Sequence, residues 1–456
     1  MSSYSPAGCQ STDTAAETRR IPRVQPWIDS AAARRPDHPA LVAGGETLTW
    51  AELAEQAAAA SAALRGDGVG EGDRVALALP AGAAFVAALH GCLRIGAVAV
   101  PVDLRLGEAE RRAVIRGATV VHAPLDARRP TPDDPHPARE CAPALEVHTS
   151  GTTGAPRPVV LTHGNWAAHA WASAAALGHP EDERWLCCLP LSHVGGLGIV
   201  VRAAVHATTV VLHERFDAEH VATALHEGVT GASLVPTMLK RVLDSEPQRP
   251  TLLRCALIGG GPVPPEQLDR ARAVGIPVVQ TYGLTEACSQ VTAEEPGEAT
   301  STAGRPLPGT EVALDAGGEI LVRGPTVAPA SRDADGFLHT GDLGVLDRHG
   351  RLTVVGRRSE TIVTGGENVA PAEVEAALEA HPAVAEAAVF GRADPEWGER
   401  VVAAVVLRPG ASADAEDLRA HAAGRLAGFK VPKEIERRDA PLPRTASGKL
   451  RRAVLR

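Results

Sequence analysis

Short apolar runs alternating with longer helix-like stretches limit most strongly what this chain can fold into. Residues 74–80 (Arg-Val-Ala-Leu-Ala-Leu-Pro) form a run suited to a buried strand. An apolar helical stretch follows to about Ile95, and Ala97-Val98-Ala99-Val100-Pro101-Val102 is the next such run. Strand, helix, strand in that order is a βαβ unit, and such units build parallel sheets covered by helices. The alternation returns at 185–189, 195–206, 208–212, 232–235 and 255–258, with a helix expected from about Pro236. Sheets of this kind bind ligands beyond the carboxyl ends of their strands, so the loops that follow strands are where chemistry is sought.

A chain of 456 residues exceeds one ordinary core, and two or three domains are expected. Residues 1–20 read as a loose tail. Trp27 opens a helical pattern, and Glu46-Thr47-Leu48-Thr49 reads as a strand whose last residue caps an Ala-rich helix. Six prolines within 123–143, set among Asp and Arg, suit an exposed connector. The pattern changes near Gly356-Arg357-Arg358-Ser359-Glu360, and the roughly one hundred residues beyond suffice for a small α+β domain. There 361–363, 384–389 and 401–407 read as strands, with helices from Ala372 to about Ala380 and after Ser412. The expected division is a tail at 1–20, a large domain at 21–355, a hinge at 356–360 and a small domain at 361–456.

After the Pro-rich connector comes Val147-His148-Thr149-Ser150-Gly151-Thr152-Thr153-Gly154-Ala155-Pro156-Arg157. Four hydroxyls and two glycines in six residues let successive N–H and O–H groups turn inward, the concavity that holds phosphate oxygens. The Walker ending, Gly-Lys-Ser/Thr, is missing. Gly259-Gly260-Gly261-Pro262 and Thr281-Tyr282-Gly283-Leu284-Thr285-Glu286 each follow an expected parallel strand, so both loops are predicted to open on one crevice. Glycines there admit a planar ring close to the backbone, and a Tyr offers a stacking face. His339-Thr340-Gly341-Asp342-Leu343-Gly344 reads by itself as an Asp-containing turn, and Pro443-Arg444-Thr445-Ala446-Ser447-Gly448-Lys449-Leu450-Arg451-Arg452 as a basic tail.

These five stretches, in this order over nearly the whole chain, resemble the motifs of the adenylate-forming superfamily of acyl-CoA synthetases, peptide-synthetase adenylation domains and luciferases. The resemblance implies an α/β fold. Its large N-terminal domain would have parallel-sheet αβαβα layers and a β-barrel-like subdomain, and its small C-terminal α+β domain would be mobile. It also implies a two-step reaction: a carboxylate displaces pyrophosphate from Mg-ATP, and a thiol then displaces AMP from the acyl-adenylate. On that basis Thr149, Ser150, Gly151, Thr152, Thr153, Gly154 and Arg157 belong to the phosphate loop. Gly260, Gly261, Pro262, Thr281, Tyr282 and Gly283 form the adenine pocket, with Tyr282 against the base. Thr285 touches phosphate, Glu286 and Thr152 hold the magnesium ion, Asp342 accepts from the ribose hydroxyls, and Arg357 is a second nucleotide contact. Lys449 stands where the superfamily carries its adenylation lysine, and Ser359 where its hinge residue lies. Gly365, Gly366 and Glu367 belong to the stretch that helps form the channel for CoA. The superfamily's usual Pro-Lys-Gly reads Pro156-Arg157-Pro158 here; arginine keeps the charge without the compact ammonium, and Pro158 offers no N–H.

Within the superfamily, Leu189-Pro190-Leu191-Ser192-His193-Val194-Gly195-Gly196-Leu197, Thr208 to Phe216, and Gly259 through Gln290 are similar to CoA ligases of aromatic keto-acids such as 2-succinylbenzoate, an acid of menaquinone biosynthesis. That acid keeps a second carboxylate, which calls for a cation or several donors. The acid-site candidates are Ser192, His193, Gly259, Leu284, Ser289 and Gln290. Arg202 is a further candidate for the charge, unless it faces solvent, and His193 could simply cap the following helix. Two other readings stay open: an adenylating enzyme that passes its acyl group to a carrier protein or an amine, and a nucleotide-binding homologue without activity, kept alive by Arg157.

Composition bears on the partners. A net charge of −9 with both signs interspersed argues against nucleic acid or an anionic membrane surface. Aromatics at 3% leave the cores to Ala, Val and Leu. Seven scattered cysteines without CxxC spacing point to reduced thiols, and no apolar run approaches the roughly 18 residues of a membrane span. The expected setting is the cytoplasm. The expected partners are a small carboxylic acid, ATP with magnesium, and CoA, with a homodimer as the assembly to test.

Overall fold

A computed structural model describes residues 23–125, 137–150, 156–444 and 450–455. The expected tail at 1–20, and most of the Pro-rich connector, lie outside these residues. The chain divides into two compact units, one running up to Val312 and including Val322–Leu338, the other made of Ala313–Leu321 with His339 onward.

The larger unit is built on two sheets. In the nine-stranded sheet the order is Arg305–Pro306, Ser289–Ala293, Val278–Leu284, Cys255–Ile258, Gly231–Leu234, Arg184–Cys187, Thr209–Leu212, Pro39–Ala43 and Glu46–Thr49. Its six central strands pair parallel, and only its edges are antiparallel. The five-stranded sheet runs Thr119–Val121, Arg74–Leu77, Val98–Pro101, Pro143–Ser150 and Pro156–Thr162, parallel except for the closing hairpin. Strands such as Val98–Pro101, Thr209–Leu212 and Cys255–Ile258 are buried throughout, as expected where helices cover both faces. The core is mostly Ala, Val and Leu around a few large rings, among them Trp50, Phe85 and Trp166.

Local sequence accounts for the helix starts. Thr49 caps Trp50–Gly66 through a reciprocal pair with Glu52. Thr162 caps His163–Leu177 in the same manner: its Oγ1 accepts from the Asn165 N–H at 3.1 Å, and Asn165 Oδ1 accepts from the Thr162 N–H at 2.9 Å.

Two expected loops prove to be strands. Val147 to Ser150 belong to Pro143–Ser150, and Arg157 to Pro156–Thr162, two antiparallel strands that flank residues 151–155, which lie outside the described residues. Thr281 to Leu284 complete the strand Val278–Leu284, whose first half pairs parallel with Cys255–Ile258 and whose second half pairs antiparallel with Ser289–Ala293.

A four-stranded half-barrel sheet runs Glu311–Leu314, Glu319–Arg323, Leu338–Leu346 and Leu352–Arg357. The smaller unit also has a five-stranded sheet in the order Glu367–Val369, Ile362–Thr364, Gly398–Leu407 and Val384–Asp394, with Glu434–Arg438 added parallel to Gly398–Leu407. Helices Pro371–Glu379 and Ala415–Ala423 share its core through Val374, Leu378 and Leu418. The architecture is thus α/β, with parallel-sheet layers, a half-barrel sheet and a small α+β unit. The six cysteines among the described residues are free, and no helix there is long and apolar enough to cross a membrane.

Asn165 also braces a distant segment. Its Nδ2 donates to the carbonyls of Pro325 at 2.6 Å and Val327 at 3.1 Å, and the side chain is only 2% exposed. Asn165→Ala removes the reciprocal cap and the Pro325 carbonyl's bond to Asn165, while the Val327 carbonyl keeps Arg332 as a donor. The expected loss is about 2–4 kcal/mol of stability, read as a lower denaturant midpoint; an unchanged midpoint would contradict this bracing role.

Candidate active site

Beyond Cys255–Ile258 the chain enters Gly259-Gly260-Gly261-Pro262, where the Gly259 N–H donates to Leu234 O at 3.2 Å. The neighbouring strand holds Thr281, Tyr282, Gly283 and Leu284, with Gln280 opposite Ile258. A bulge separates Tyr282 from Gly283, and Gly283 stands opposite Gln290. A Cβ on Gly283 would lie 1.7 Å from the Ser289 carbonyl oxygen, so the hairpin closes only around glycine. Thr281 Oγ1 donates to Thr292 O at 2.6 Å and binds the same hairpin from within.

Between the two strands lies the 3-10 turn Thr285–Ala287, which carries Glu286; its backbone oxygen accepts from the Ala328 N–H at 2.8 Å. The turn is followed by Cys288 at φ 53° and Ser289 at φ 90°, two consecutive non-glycine residues in the left-handed region. Such conformations cost on the order of 1–3 kcal/mol each and persist where surrounding structure imposes them. Gly259, Gly260, Gly261 and Pro262 thus follow the strand that pairs with the one holding Thr281, Tyr282, Gly283 and Leu284, while Thr285 and Glu286 lie in the turn after it and Ser289 and Gln290 in the next strand.

His193 precedes the helix Val194–His206 but its side chain makes no capping bond. Its Nε2 lies 3.7 Å from Asp103 Oδ2 instead. Asp103 follows the strand Val98–Pro101 and is gripped by Arg105, whose Nε and Nη2 donate at 2.8 and 2.7 Å. Burial raises the Asp103 pKa, but the Arg105 bonds outweigh it and hold the carboxyl below its ordinary value. Burial lowers the His193 pKa against the pull of Asp103, so the imidazole is neutral at neutral pH. Asp103 and Arg105 belong to none of the sequence motifs, although their place just after a buried parallel strand is the available signal. Ser192 is half-buried beside His193.

Arg202 does not face solvent. It is 5% exposed, its Nη2 donates to Gly178 O and Glu183 Oε1 at 3.0 and 3.1 Å, and its guanidinium lies 4.5 Å over the Trp185 ring. Its charge is neutralised within the fold by Glu183, which also pairs with Arg254.

At the hydroxyl-rich hairpin, Thr149 stands opposite Arg157 and Ser150 opposite Pro156, and the Arg157 side chain is exposed. Gly151, Thr152, Thr153 and Gly154 lie outside the described residues. Under this hairpin Arg74 pairs with Glu146, whose Oε1 lies 3.4 Å from His148 Nε2.

In the smaller unit, Asp342 and Arg357 are cross-strand partners, with Arg357 Nε donating to Asp342 Oδ1 at 2.8 Å. Asp342 is 5% exposed, and its approach is shaped by Glu319, which accepts from the Gly341 N–H at 2.8 Å and pairs with Arg358 at 3.1 Å. Ser359 lies in the 3-10 turn Arg358–Glu360. Gly365 and Gly366, both at positive φ, turn between Ile362–Thr364 and the strand that begins with Glu367. Lys449 lies outside the described residues. Arg452, to which the sequence alone gives no role, joins Glu360 at 2.6 Å and Glu375 at 2.7 Å.

Among the described residues no three His, Cys, Asp or Glu side chains group as a metal cage. A single carboxylate such as Glu286 fits magnesium, which binds through one or two carboxylates and completes its shell with waters and phosphate oxygens.

Parallel strands ending in a glycine-rich loop, with a carboxylate turn and a hydroxyl-rich hairpin in one unit and an Asp–Arg pair in the other, define a nucleotide-handling α/β protein. The chain belongs to the AMP-binding enzyme family: that family's model matches residues 28–124 and 117–330, and the model of the AMP-binding enzyme C-terminal domain matches 373–449. It is 38% identical to the 2-succinylbenzoate–CoA ligase of Bacillus licheniformis, with 94% of this chain and 98% of that protein covered. The o-succinylbenzoate CoA synthetase of Bacillus subtilis, solved with its acyl-adenylate intermediate, superposes with a TM-score of 0.89 at 35% identity, covering 95% of this chain and 98% of that one. The same enzyme with ATP and magnesium ion gives 0.88 at 35%, covering 94% and 98%.

Gly283→Ala tests the closure of the central hairpin. The added methyl has no room against Ser289 O, and the expected cost is about 1–3 kcal/mol or more of stability, read as a lower thermal midpoint. A variant as stable as the parent would contradict the closeness of the two strands.

Proposed function

We propose that this chain is an ATP-dependent, AMP-forming acid–CoA ligase whose acid is 2-succinylbenzoate. The observation that carries the reading is similarity over nearly the full length to 2-succinylbenzoate–CoA ligases, at 38% identity, together with a fold close to that of a relative solved with its acyl-adenylate. The acid's carboxylate oxygen attacks the α-phosphorus of ATP and the bond to pyrophosphate breaks. The CoA thiol, losing its proton, then attacks the acyl carbon, and AMP leaves with the oxygen that joined it to the acyl group. Neither step needs a covalent nucleophile from the protein, so positioning and charge neutralisation carry the rate.

In this reading Thr149, Ser150, Gly151, Thr152, Thr153, Gly154 and Arg157 hold the phosphates. Gly260, Gly261, Pro262, Thr281, Tyr282 and Gly283 hold adenine, and Asp342 with Arg357 holds the ribose. Magnesium, held by Glu286 and Thr152, neutralises triphosphate charge when bound. Thr285 donates to phosphate, and Lys449 bridges the substrate carboxylate and the α-phosphate. Ser192, His193, Gly259, Leu284, Ser289 and Gln290 face the acid. Ser359, in the hinge at 356–360, absorbs the backbone rotation between the half-reactions, and Gly365, Gly366 and Glu367 border the CoA channel. The cytoplasm as its location and a homodimer as its assembly belong to the same proposal.

The deciding experiment is CoA-dependent AMP formation over a panel of aryl and acyl acids, with 2-succinylbenzoate expected as the preferred acid. Turnover of another acid and none of this one would overturn the substrate. Lys449→Ala is expected to slow pyrophosphate release by about 10²- to 10³-fold while leaving CoA acylation from preformed acyl-adenylate largely intact. Equal loss in both half-reactions would remove that role. Asp342→Ala is expected to raise the KM for ATP about tenfold or more, the scale of losing one charge-assisted hydrogen bond; an unchanged KM would remove its ribose contact.

A further inference from the structure

One charged side chain of the smaller unit joins three segments at once. Arg452 lies in the 3-10 turn Arg452–Val454, three residues beyond Lys449. Its Nε and Nη2 donate to the two carboxylate oxygens of Glu375 at 2.9 and 2.7 Å, and its Nη1 donates to Glu360 Oε2 at 2.6 Å. Glu375 stands on the helix Pro371–Glu379, and Glu360 ends the turn Arg358–Glu360 that also carries Ser359. Arg452 and Glu375 are mostly buried, with 14% and 12% of their side chains exposed, against 27% for Glu360. Glu375 is held in turn, since its Oε1 also accepts from the Val389 N–H at 2.7 Å.

The chain on either side of residues 445–449 is fixed as well. Arg444 and Leu450 form an antiparallel bridge, the Arg451 N–H donates to Pro443 O at 2.8 Å, and Arg444 Nη2 donates to Glu386 Oε2 at 2.9 Å. Leu442 and Leu455 are buried with Phe390 in one apolar cluster, and Leu450 packs against it. These contacts tie the C-terminal end to the sheet; the Arg452 bonds extend the tie to the hinge turn. The planar guanidinium fork spans two carboxylates, which a single ammonium cannot grip in the same way. Burial works to lower the Arg452 pKa, but the bonds and charge of Glu375 and the charge of Glu360 outweigh it, and the guanidinium stays charged. Replacing a buried ion pair by apolar residues is often neutral for stability, so what such a cluster supplies is sought in geometry.

Resting on the ligase reading above, we propose that Arg452 is a positioning residue for adenylation. By clamping the turn just after Lys449 to Glu360 and Glu375, it makes the backbone that delivers the lysine and the hinge turn move as one body, so that rotation at the hinge sets where the ammonium goes. Arg452 touches neither substrate nor reacting atoms; it acts through Lys449. Loss of the clamp keeps the ammonium but spreads its position, and a misplacement of about 1 Å costs on the order of 10²-fold in rate. The thioester step, which in that reading does not use Lys449, keeps its rate.

The test measures the two half-reactions of the full chain separately: pyrophosphate release from Mg-ATP with 2-succinylbenzoate, and CoA acylation from preformed acyl-adenylate. Arg452→Gln keeps side-chain N–H donors without the charge, and Arg452→Lys keeps the charge without the fork. Pyrophosphate release is expected to slow about 10- to 100-fold in Arg452→Gln and less in Arg452→Lys. The loss falls on kcat with the KM for ATP near the parent value, while CoA acylation stays within about twofold of the parent. In the Lys449→Ala background, Arg452→Gln is expected to slow pyrophosphate release further by less than about twofold, because residues that act as a unit are not additive. Equal slowing of both half-reactions, unchanged pyrophosphate release, or a full further loss on top of Lys449→Ala overturns the proposal and leaves the ligase reading standing. If Arg452→Gln shows no thermal unfolding transition, Arg452→Lys decides by the same outcomes. A parent protein that releases no pyrophosphate with any acid of the panel overturns the ligase reading itself.

Discussion

The Ser289 carbonyl oxygen fills the space that a side chain at position 283 would need, and the larger unit's candidate site depends on that contact. Because the strands Val278–Leu284 and Ser289–Ala293 approach so closely, the turn between them is short, and it holds Glu286 in a single helical turn rather than on a free loop. The same closeness sets Gln290 opposite Gly283 and directs its side chain toward the helix His163–Leu177. Cys288 and Ser289 accept left-handed backbone to complete the turn. The turn that carries Glu286, the strand that carries Tyr282 and the buried Gln290 amide are thereby fixed relative to one another by backbone rather than by side-chain choice.

Charge is handled sparingly around this hairpin. A triphosphate meeting a carboxylate brings strong like-charge repulsion, yet several arginines are already committed within their own units: Arg202 to Glu183, Arg105 to Asp103 and Arg357 to Asp342. Such pairs serve orientation more than attraction, since each is close to neutral as a unit. Among the described residues, the candidates left for a substrate are N–H and O–H donors, the Glu286 carboxylate and the exposed Arg157. Fixed dipoles aimed at developing charge need no rearrangement when the reaction occurs, which is why a protein without a covalent nucleophile can still accelerate acyl transfer.

The parallel-sheet frame is legible in the sequence because its strands are short, apolar and buried on both faces: Thr209-Val210-Val211-Leu212 and Cys255-Ala256-Leu257-Ile258 leave little alternative. Capped helix starts at Thr49 and Thr162 follow from local hydrogen bonding. Thr281 to Leu284 reads as a loop because Tyr-Gly-Leu-Thr carries turn chemistry, while the residues that make the turn, Cys288 and Ser289, carry none. Asp103 has no signal beyond its place after a buried strand because its partner His193 lies far along the chain, and Arg202 keeps a solvent option because its counter-ion Glu183 sits outside the helix. Pairings between distant segments leave no local periodicity, and the bond between Ser173 and Gln290 is of that kind.

The central claim is that a carboxylate oxygen becomes bonded to the α-phosphorus of ATP and leaves with AMP. The most direct measurement uses 2-succinylbenzoate labelled with ¹⁸O in its carboxylates, with CoA and Mg-ATP, and mass analysis of the nucleotide released. The account predicts AMP carrying one ¹⁸O atom, formed in step with the acyl-CoA. Acyl-CoA formed together with unlabelled AMP, or with ADP, would contradict it.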